Sequence, residues 1–258
     1  MSRGRPPIEQ VRLVGQPASV TGRFSGEHWA GRLYMRRASP YVTQRLATTR
    51  ITPDAVTWAM MGCGLLAAAV LTLPGVPASV CAVLLVQGQL LLDCVDGELA
   101  RVRGRTGPMG VYLDRVGHFS TEAALAAAIG LRADGGWQSI GGWTTVGLSV
   151  AVLVLLIKAE TELVHVARYH AGLPPLPDSS ERTLPGGLLS LRRIADLVPI
   201  HRALLALEVS VLALLAALVD AAAGSLVGTR TLLLGLLAVA VLVVTGHLLT
   251  IVTSRKLR

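Results

Sequence analysis

Leu90-Leu91-Leu92-Asp93-Cys94-Val95-Asp96-Gly97-Glu98-Leu99-Ala100-Arg101 closes an apolar run that begins near Pro77, and a second apolar run opens after it at Gly110, with Asp114, His118 and Glu122 inside it. About twenty predominantly apolar residues are what a helix needs to cross roughly 30 Å of hydrocarbon, so both runs read as membrane helices. On a helix Asp93 and Asp96 are i, i+3 neighbours and Asp114 and His118 are i, i+4, so each pair shares a face. A short polar connection between the helices then brings both pairs to one rim.

The rest of the chain repeats this pattern. It has 258 residues, 52% hydrophobic and only 4% aromatic, with a mean hydropathy of +0.57, too apolar for an ordinary soluble domain. The apolar blocks predict an all-α integral membrane protein with six transmembrane helices at about 54–73, 77–96, 110–131, 143–164, 201–223 and 231–252. Thr52-Pro53-Asp54 reads as a capped start of the first span, and Pro74-Gly75-Val76-Pro77 as the turn into the second. The net charge of +8 is scattered between apolar blocks without a basic motif or stacking aromatics, which argues against a nucleic-acid partner. Cys63, Cys81 and Cys94 have neither paired nor metal-ligand spacing, and the Arg-rich first fifty residues contain no signal-peptide core, which leaves insertion to the first span.

Residues 1–26, without periodicity, read as a disordered tail. Residues 27–53 mix Trp29, Leu33, Met35, Tyr41, Val42 and Leu46 with five arginines and read as an interfacial amphipathic segment broken near Ser39-Pro40, ahead of a membrane domain over 54–258. Nine arginines precede the first span, Arg101, Arg103 and Arg105 follow the second, and five more lie between Arg168 and Arg202. By the positive-inside rule, both termini and the 97–109 loop are expected in the cytoplasm, with the chain a multi-pass protein of the cell membrane. The Pro- and Gly-rich stretch 171–200 is the one long cytoplasmic loop, with a short surface helix expected over Leu188 to Leu197.

A carboxylate within a membrane helix costs about 2.5–3.5 kcal/mol on insertion scales, so three of them at one rim point to hydration or a bound cation. Carboxylates converging from two helices suit a hard divalent ion such as magnesium, which is commonly held by one or two carboxylates plus substrate phosphates. Two such ions can activate an attacking oxygen and stabilise a leaving phosphate.

These residues form D-x-x-D-G-x-x-A-R, eight residues, then G-x-x-x-D-x-x-x-H. The pattern resembles that of the CDP-alcohol phosphotransferases, whose last position is Asp. The resemblance implies that Asp93, Asp96 and Asp114 hold two Mg2+ or Mn2+ ions. Gly97, Ala100, Arg101 and Gly110 would accommodate the CDP-linked group, with Arg101 on phosphate. It further implies attack of an acceptor hydroxyl on the β-phosphorus of a lipid-like donor such as CDP-diacylglycerol, with release of CMP, in phospholipid biosynthesis. A homodimer among membrane lipids is also implied. His118 departs from the pattern. With a reference pKa near 6.5, an imidazole can accept a proton at neutral pH. It can equally ligate or position a metal, or its presence can mark lost catalysis. Glu122, one turn further on, is the substitute base.

Lys158, Glu162, His165 and Tyr169 recur at steps of four, three and four and read either as an acceptor-binding stripe or as a helix end reaching for water. The acceptor alcohol stays open. The rival readings are a divalent-cation transporter and a non-catalytic lipid- or nucleotide-binding relative.

Overall fold

A computed structural model describes residues 5–21, 29–174 and 200–253, and among them all regular structure is helical. The order is α1 (Ile8–Gly15), α2 (Ala18–Thr21), a π-turn (Gly31–Met35) running into α3 (Arg36–Leu46), α4 (Pro53–Leu71), α5 (Val76–Val102), α6 (Pro108–Ala133), α7 (Gly142–His170), a 3-10 turn (Ile200–Leu204), α8 (Ala206–Ala223) and α9 (Val227–Thr253). Five of these, α4, α5, α7, α8 and α9, are long and apolar enough to cross a membrane. Each falls on an expected span. The remaining expected span coincides with α6, which is long enough but carries Asp114, Arg115, His118, Glu122 and Arg132 and so is less apolar than the others. The short helix expected over Leu188 to Leu197 lies outside the described residues.

The described chain forms two compact units, Met1–Leu66 with Leu84–Ser120, and Ala67–Val83 with Thr121–Arg258. The first holds α1 to α3 and the motif-bearing parts of α5 and α6. Its apolar core is Val56, Val95 and Leu99, covered by Val42, Leu46, Ala47 and Leu92. Helix α4 starts as its sequence dictates: Thr52 Oγ1 accepts from the Ala55 amide at 3.2 Å, with Pro53 at the first helical position.

Two features of the N-terminal segment differ from the sequence expectation. Residues 8–15, within the stretch read as a disordered tail, are helical, and the hydrogen bonds that hold this helix come from residues far along the chain. Pro40 does not break the segment, because α3 runs through it. Proline has no amide to offer the carbonyl four residues back. That carbonyl, of Arg36, accepts instead from Gln16 Nε2 at 2.7 Å. The buried face of α3 is Ser39, Pro40 and Thr43, whereas Trp29, Leu33, Tyr34 and Tyr41 are exposed.

The second unit contains α7 to α9. Its helices α6 and α7 approach backbone to backbone: a Cβ on Gly147 would lie 2.7 Å from the Gly130 Cα and 2.9 Å from the Ala126 carbonyl, so only glycine fits the crossing. Asp134, just past α6, caps α7 by accepting from the amides of Gly141 (2.8 Å), Trp143 (3.3 Å) and Thr144 (2.7 Å) and from Thr144 Oγ1 (2.6 Å). What burial it has pushes its carboxyl up, but these four bonds outweigh that and hold it below the usual carboxylate range. Asp220 closes the α8–α9 turn in the same way, on the Gly228 and Thr229 amides.

Candidate active site

Helix α5 continues to Val102, beyond the expected end near residue 96, so Asp93, Asp96, Glu98 and Arg101 share one rigid helix. Asp114 and His118 lie one turn apart on α6. His118 Nε2 stands 3.1 Å from Asp93 Oδ1 and 3.5 Å from Asp114 Oδ1. The side chains of Asp93 and Asp114 are 30% and 41% exposed, so substrate can reach them.

Asp93, Asp114 and His118 each offer one ligand atom, all within 4.8 Å of one another. Two donors about 2.1 Å from a common ion stand at most about 4.2 Å apart. A few tenths of an ångström of side-chain movement would therefore close the cluster on a divalent cation. The donor set of two carboxylate oxygens and an imidazole nitrogen fits magnesium through its oxygens and manganese through all three atoms.

Asp96, read with Asp93 and Asp114 as a metal carboxylate, stands outside that cluster. It is almost fully buried, and its Oδ2 accepts from Thr57 Oγ1 of α4 at 2.7 Å. Thr57 was not singled out in the sequence. The signal was weak, a hydroxyl one turn after the Pro53-Asp54 helix start. Gly97 provides room for Arg101, because a Cβ there would stand 3.2 Å and 3.3 Å from the Arg101 guanidinium nitrogens Nη1 and Nη2. Arg101 Nε donates to the Gly15 carbonyl at 2.7 Å. A Cβ on Gly110 would meet open space, and Ala100 is half-buried.

Glu98 is the most consequential residue that the sequence reading passed over. It is wholly buried, and around its carboxylate gather Ser39 Oγ (2.5 Å) and Gln16 Nε2 (2.8 Å) on Oε1 and Thr43 Oγ1 (2.7 Å) on Oε2, with Arg36 Nη1 at 3.8 Å. Arg103 reaches past the end of α5 to donate to the carbonyls of Ile51, Leu46 (2.6 Å) and Thr49 (2.9 Å). A buried carboxylate survives only when its oxygens are satisfied, which explains why the buried side of α3 is hydroxyl-bearing.

The other expected site residues belong to the second unit. Lys158 Nζ lies 2.9 Å from Glu122 Oε2, and Glu122 is buried. The expected alternative base and the first residue of the expected acceptor stripe are thus one ion pair. Glu162 is half-buried, while His165 and Tyr169 are exposed, Tyr169 lying edge-on to His170. The buried acid on α7 is Glu160, which meets His247 Nδ1 of α9 at 3.0 Å. Glu160 was not singled out because nothing in the local sequence announces a partner 87 residues away.

Compared with known families, residues 50–171 match the CDP-alcohol phosphatidyltransferase model. Members of that family transfer a phosphatidyl-type substituted phosphate from a CDP-alcohol to an alcohol, typically with a divalent metal. No curated protein matches the chain.

Proposed function

We propose, from the match of residues 50–171 to the CDP-alcohol phosphatidyltransferase model, that the chain moves a substituted phosphate group from a CDP-linked lipid, of the CDP-diacylglycerol type, to an acceptor alcohol. The observation that carries this reading is the Asp93–Asp114–His118 cluster at adjoining ends of α5 and α6. Asp93 and Asp114 would hold a divalent cation, Mg2+ or Mn2+, and Asp96, oriented by Thr57, would serve a second. Bound there, such ions supply charge neutralisation to diphosphate oxygens.

The chain's own groups account for the rest. The acceptor oxygen attacks the donor's β-phosphorus, the bond from that phosphorus to the bridging oxygen breaks, and CMP leaves. When His118 Nε2 carries the proton and donates to Asp93, Nδ1 keeps its lone pair and takes the proton of the attacking hydroxyl. Arg101 directs at phosphate the Nη edge that lies in the room Gly97 leaves, and the small Ala100 leaves space for the cytidine. Glu122, held by Lys158, is better suited to structure than to proton transfer.

The decisive experiment incubates the purified protein with CDP-diacylglycerol, Mg2+ and a panel of alcohols, including glycerol phosphate, inositol phosphate and small polyols. We expect CMP release together with one new phosphodiester lipid identified by mass spectrometry. CMP release with no alcohol incorporated under any condition would refute the transferase assignment.

We further propose that α6 completes a six-span domain, that residues 29–46 lie at the membrane interface with Trp29, Leu33 and Tyr41 toward lipid, and that the catalytic rim faces the cytoplasm. The arginines gathered at that rim support this orientation. With the native cysteines replaced, Arg105→Cys is expected to resist impermeant thiol reagents in sealed cells and to react after permeabilisation. Labelling in intact cells would reverse the orientation.

A further inference from the structure

The residues that match the family begin at position 50, yet the motif helix is fastened to a segment that precedes them. Helix α5 turns about 100° per residue, so Glu98 points about 140° from Asp93 and about 160° from Asp96, toward the opposite face. On that face stand α1 and α3. Gln16, at the end of α1, donates one Nε2 to three acceptors in reach: Glu98 Oε1 (2.8 Å), the Arg36 carbonyl (2.7 Å) and Ser39 Oγ (3.5 Å). Gly15 lets α1 come this close, because a Cβ there would lie 3.3 Å from both Cβ and Cγ of Glu98. The carbonyl of the same glycine then accepts from Arg101 Nε.

This last contact bears on chemistry. A guanidinium bonded through Nε has its plane fixed, and its Nη1 and Nη2 edge is left for a second partner. Here that edge lies over Gly97, the position where the motif is smallest. The Gly15 carbonyl is also a C-terminal carbonyl of α1, one of the last four that lack an intrahelical partner and carry the negative end of the helix dipole, which suits a cation.

We infer that α1 is part of the donor site: Gln16 and Glu98 are positioning residues that seat the end of α1 so that the Gly15 carbonyl orients Arg101 toward the donor's phosphate. The inference rests on the reading that Arg101 faces the donor. Neither Gln16 nor Glu98 touches substrate. Glu98 also keeps α3 in register through Ser39 and Thr43, so the clamp is cooperative across two helices.

CDP is the probe, titrated calorimetrically with Mg2+ into the full-length protein in detergent, so that no acceptor need be known. Gln16→Ala and Glu98→Gln are expected to weaken CDP binding at least about tenfold, the scale of a lost charge-assisted contact. Turnover at saturating CDP-diacylglycerol should stay within about threefold of wild type, because the reacting groups are untouched. Glu98→Asp, which keeps a carboxylate for Gln16, Ser39 and Thr43 to donate to, should retain more of the affinity than Glu98→Gln, which a merely unfolded variant would not do. Arg101→Ala serves as the reference. If it weakens CDP while Gln16→Ala and Glu98→Gln bind as wild type and differ only in thermal midpoint, α1 is a structural prop and the inference is overturned. If Arg101→Ala itself binds CDP as wild type, Arg101 does not face the donor, and both that reading and the role of α1 fall.

Discussion

Asp93→Asn and Asp114→Asn are each expected to lower CMP release by about 10³-fold or more, the largest effects any single substitution in this chain should have. Asparagine keeps the shape of the side chain and one oxygen but removes the negative charge. Both residues offer their oxygens to the same small volume as His118 Nε2. A neutral amide is a poor partner for a divalent ion competing with water, and magnesium in particular is reluctant to shed its hydration for a weak ligand. Asp93→Asn should be the more damaging, because Asp93 also holds the His118 ring at 3.1 Å. Titration of Mn2+ followed by its paramagnetic resonance signal provides a readout independent of turnover. Wild type should bind the ion in the absence of nucleotide more tightly than either variant. Asp96→Asn is the informative contrast, because its Thr57 bond survives in part through the remaining oxygen and its effect should appear most clearly once CDP is bound. Wild-type Mn2+ affinity in both Asp93→Asn and Asp114→Asn would show that the cluster does not hold the metal.

Part of the cluster was legible in the sequence because an acidic residue in an apolar run stands out by its cost and Asp114 and His118 lie within one helical turn. Asp96, expected beside Asp93 and Asp114, stands outside the cluster on Thr57, and the approach of His118 to Asp93 joins two helices. Five of the spans were legible as apolar runs, apart from boundaries: α5 runs on to Val102 because the good helix formers Glu98, Leu99, Ala100 and Arg101 outweigh Gly97, although the apolar run has ended. What escaped was non-local. Gln16 and Glu98 are 82 positions apart, and Ser39 and Thr43 look like turn or surface residues until a buried carboxylate is found beneath them. The N-terminal stretch lacked periodicity over a useful window, so its polarity read as disorder, yet its α1 is held by hydrogen bonds to α5 together with the buried Val11. Pro40 read as a break because proline removes a helical hydrogen bond, and the sequence gives no sign that Gln16 takes up the freed carbonyl. The Glu122–Lys158 pair shows the same limit, since two residues expected to serve different functions form one ion pair.

His118→Ala is expected to lower the catalytic rate at least about 10²-fold while CDP binding largely survives, because a positioned base contributes about 10²–10⁴-fold to the reaction and little to ground-state binding. The ring stands at hydrogen-bonding distance from Asp93 and one turn from Asp114, a place from which Nδ1 can meet an incoming hydroxyl once Nε2 is engaged. His118→Asp should recover part of the lost rate, since a carboxylate can accept the proton. His118→Gln separates the two uses of the ring: an amide can still donate a hydrogen bond to Asp93 but cannot accept a proton, so it should be nearly as slow as the alanine variant. The competing role, direct ligation through Nε2, makes a different spectroscopic demand. Nitrogen coupling in the spin-echo spectrum of bound Mn2+, present in wild type and absent in His118→Asp, would identify the ring as a ligand and move the proton acceptor elsewhere. Retention of near wild-type CMP release by His118→Ala, with its loss in Glu122→Gln, would instead give the proton to Glu122. That outcome requires Lys158 to release a buried carboxylate it now holds at 2.9 Å. Freeing that acid would strip it of its compensating charge within a low-dielectric environment, a step that a neutral imidazole next to Asp93 does not have to make.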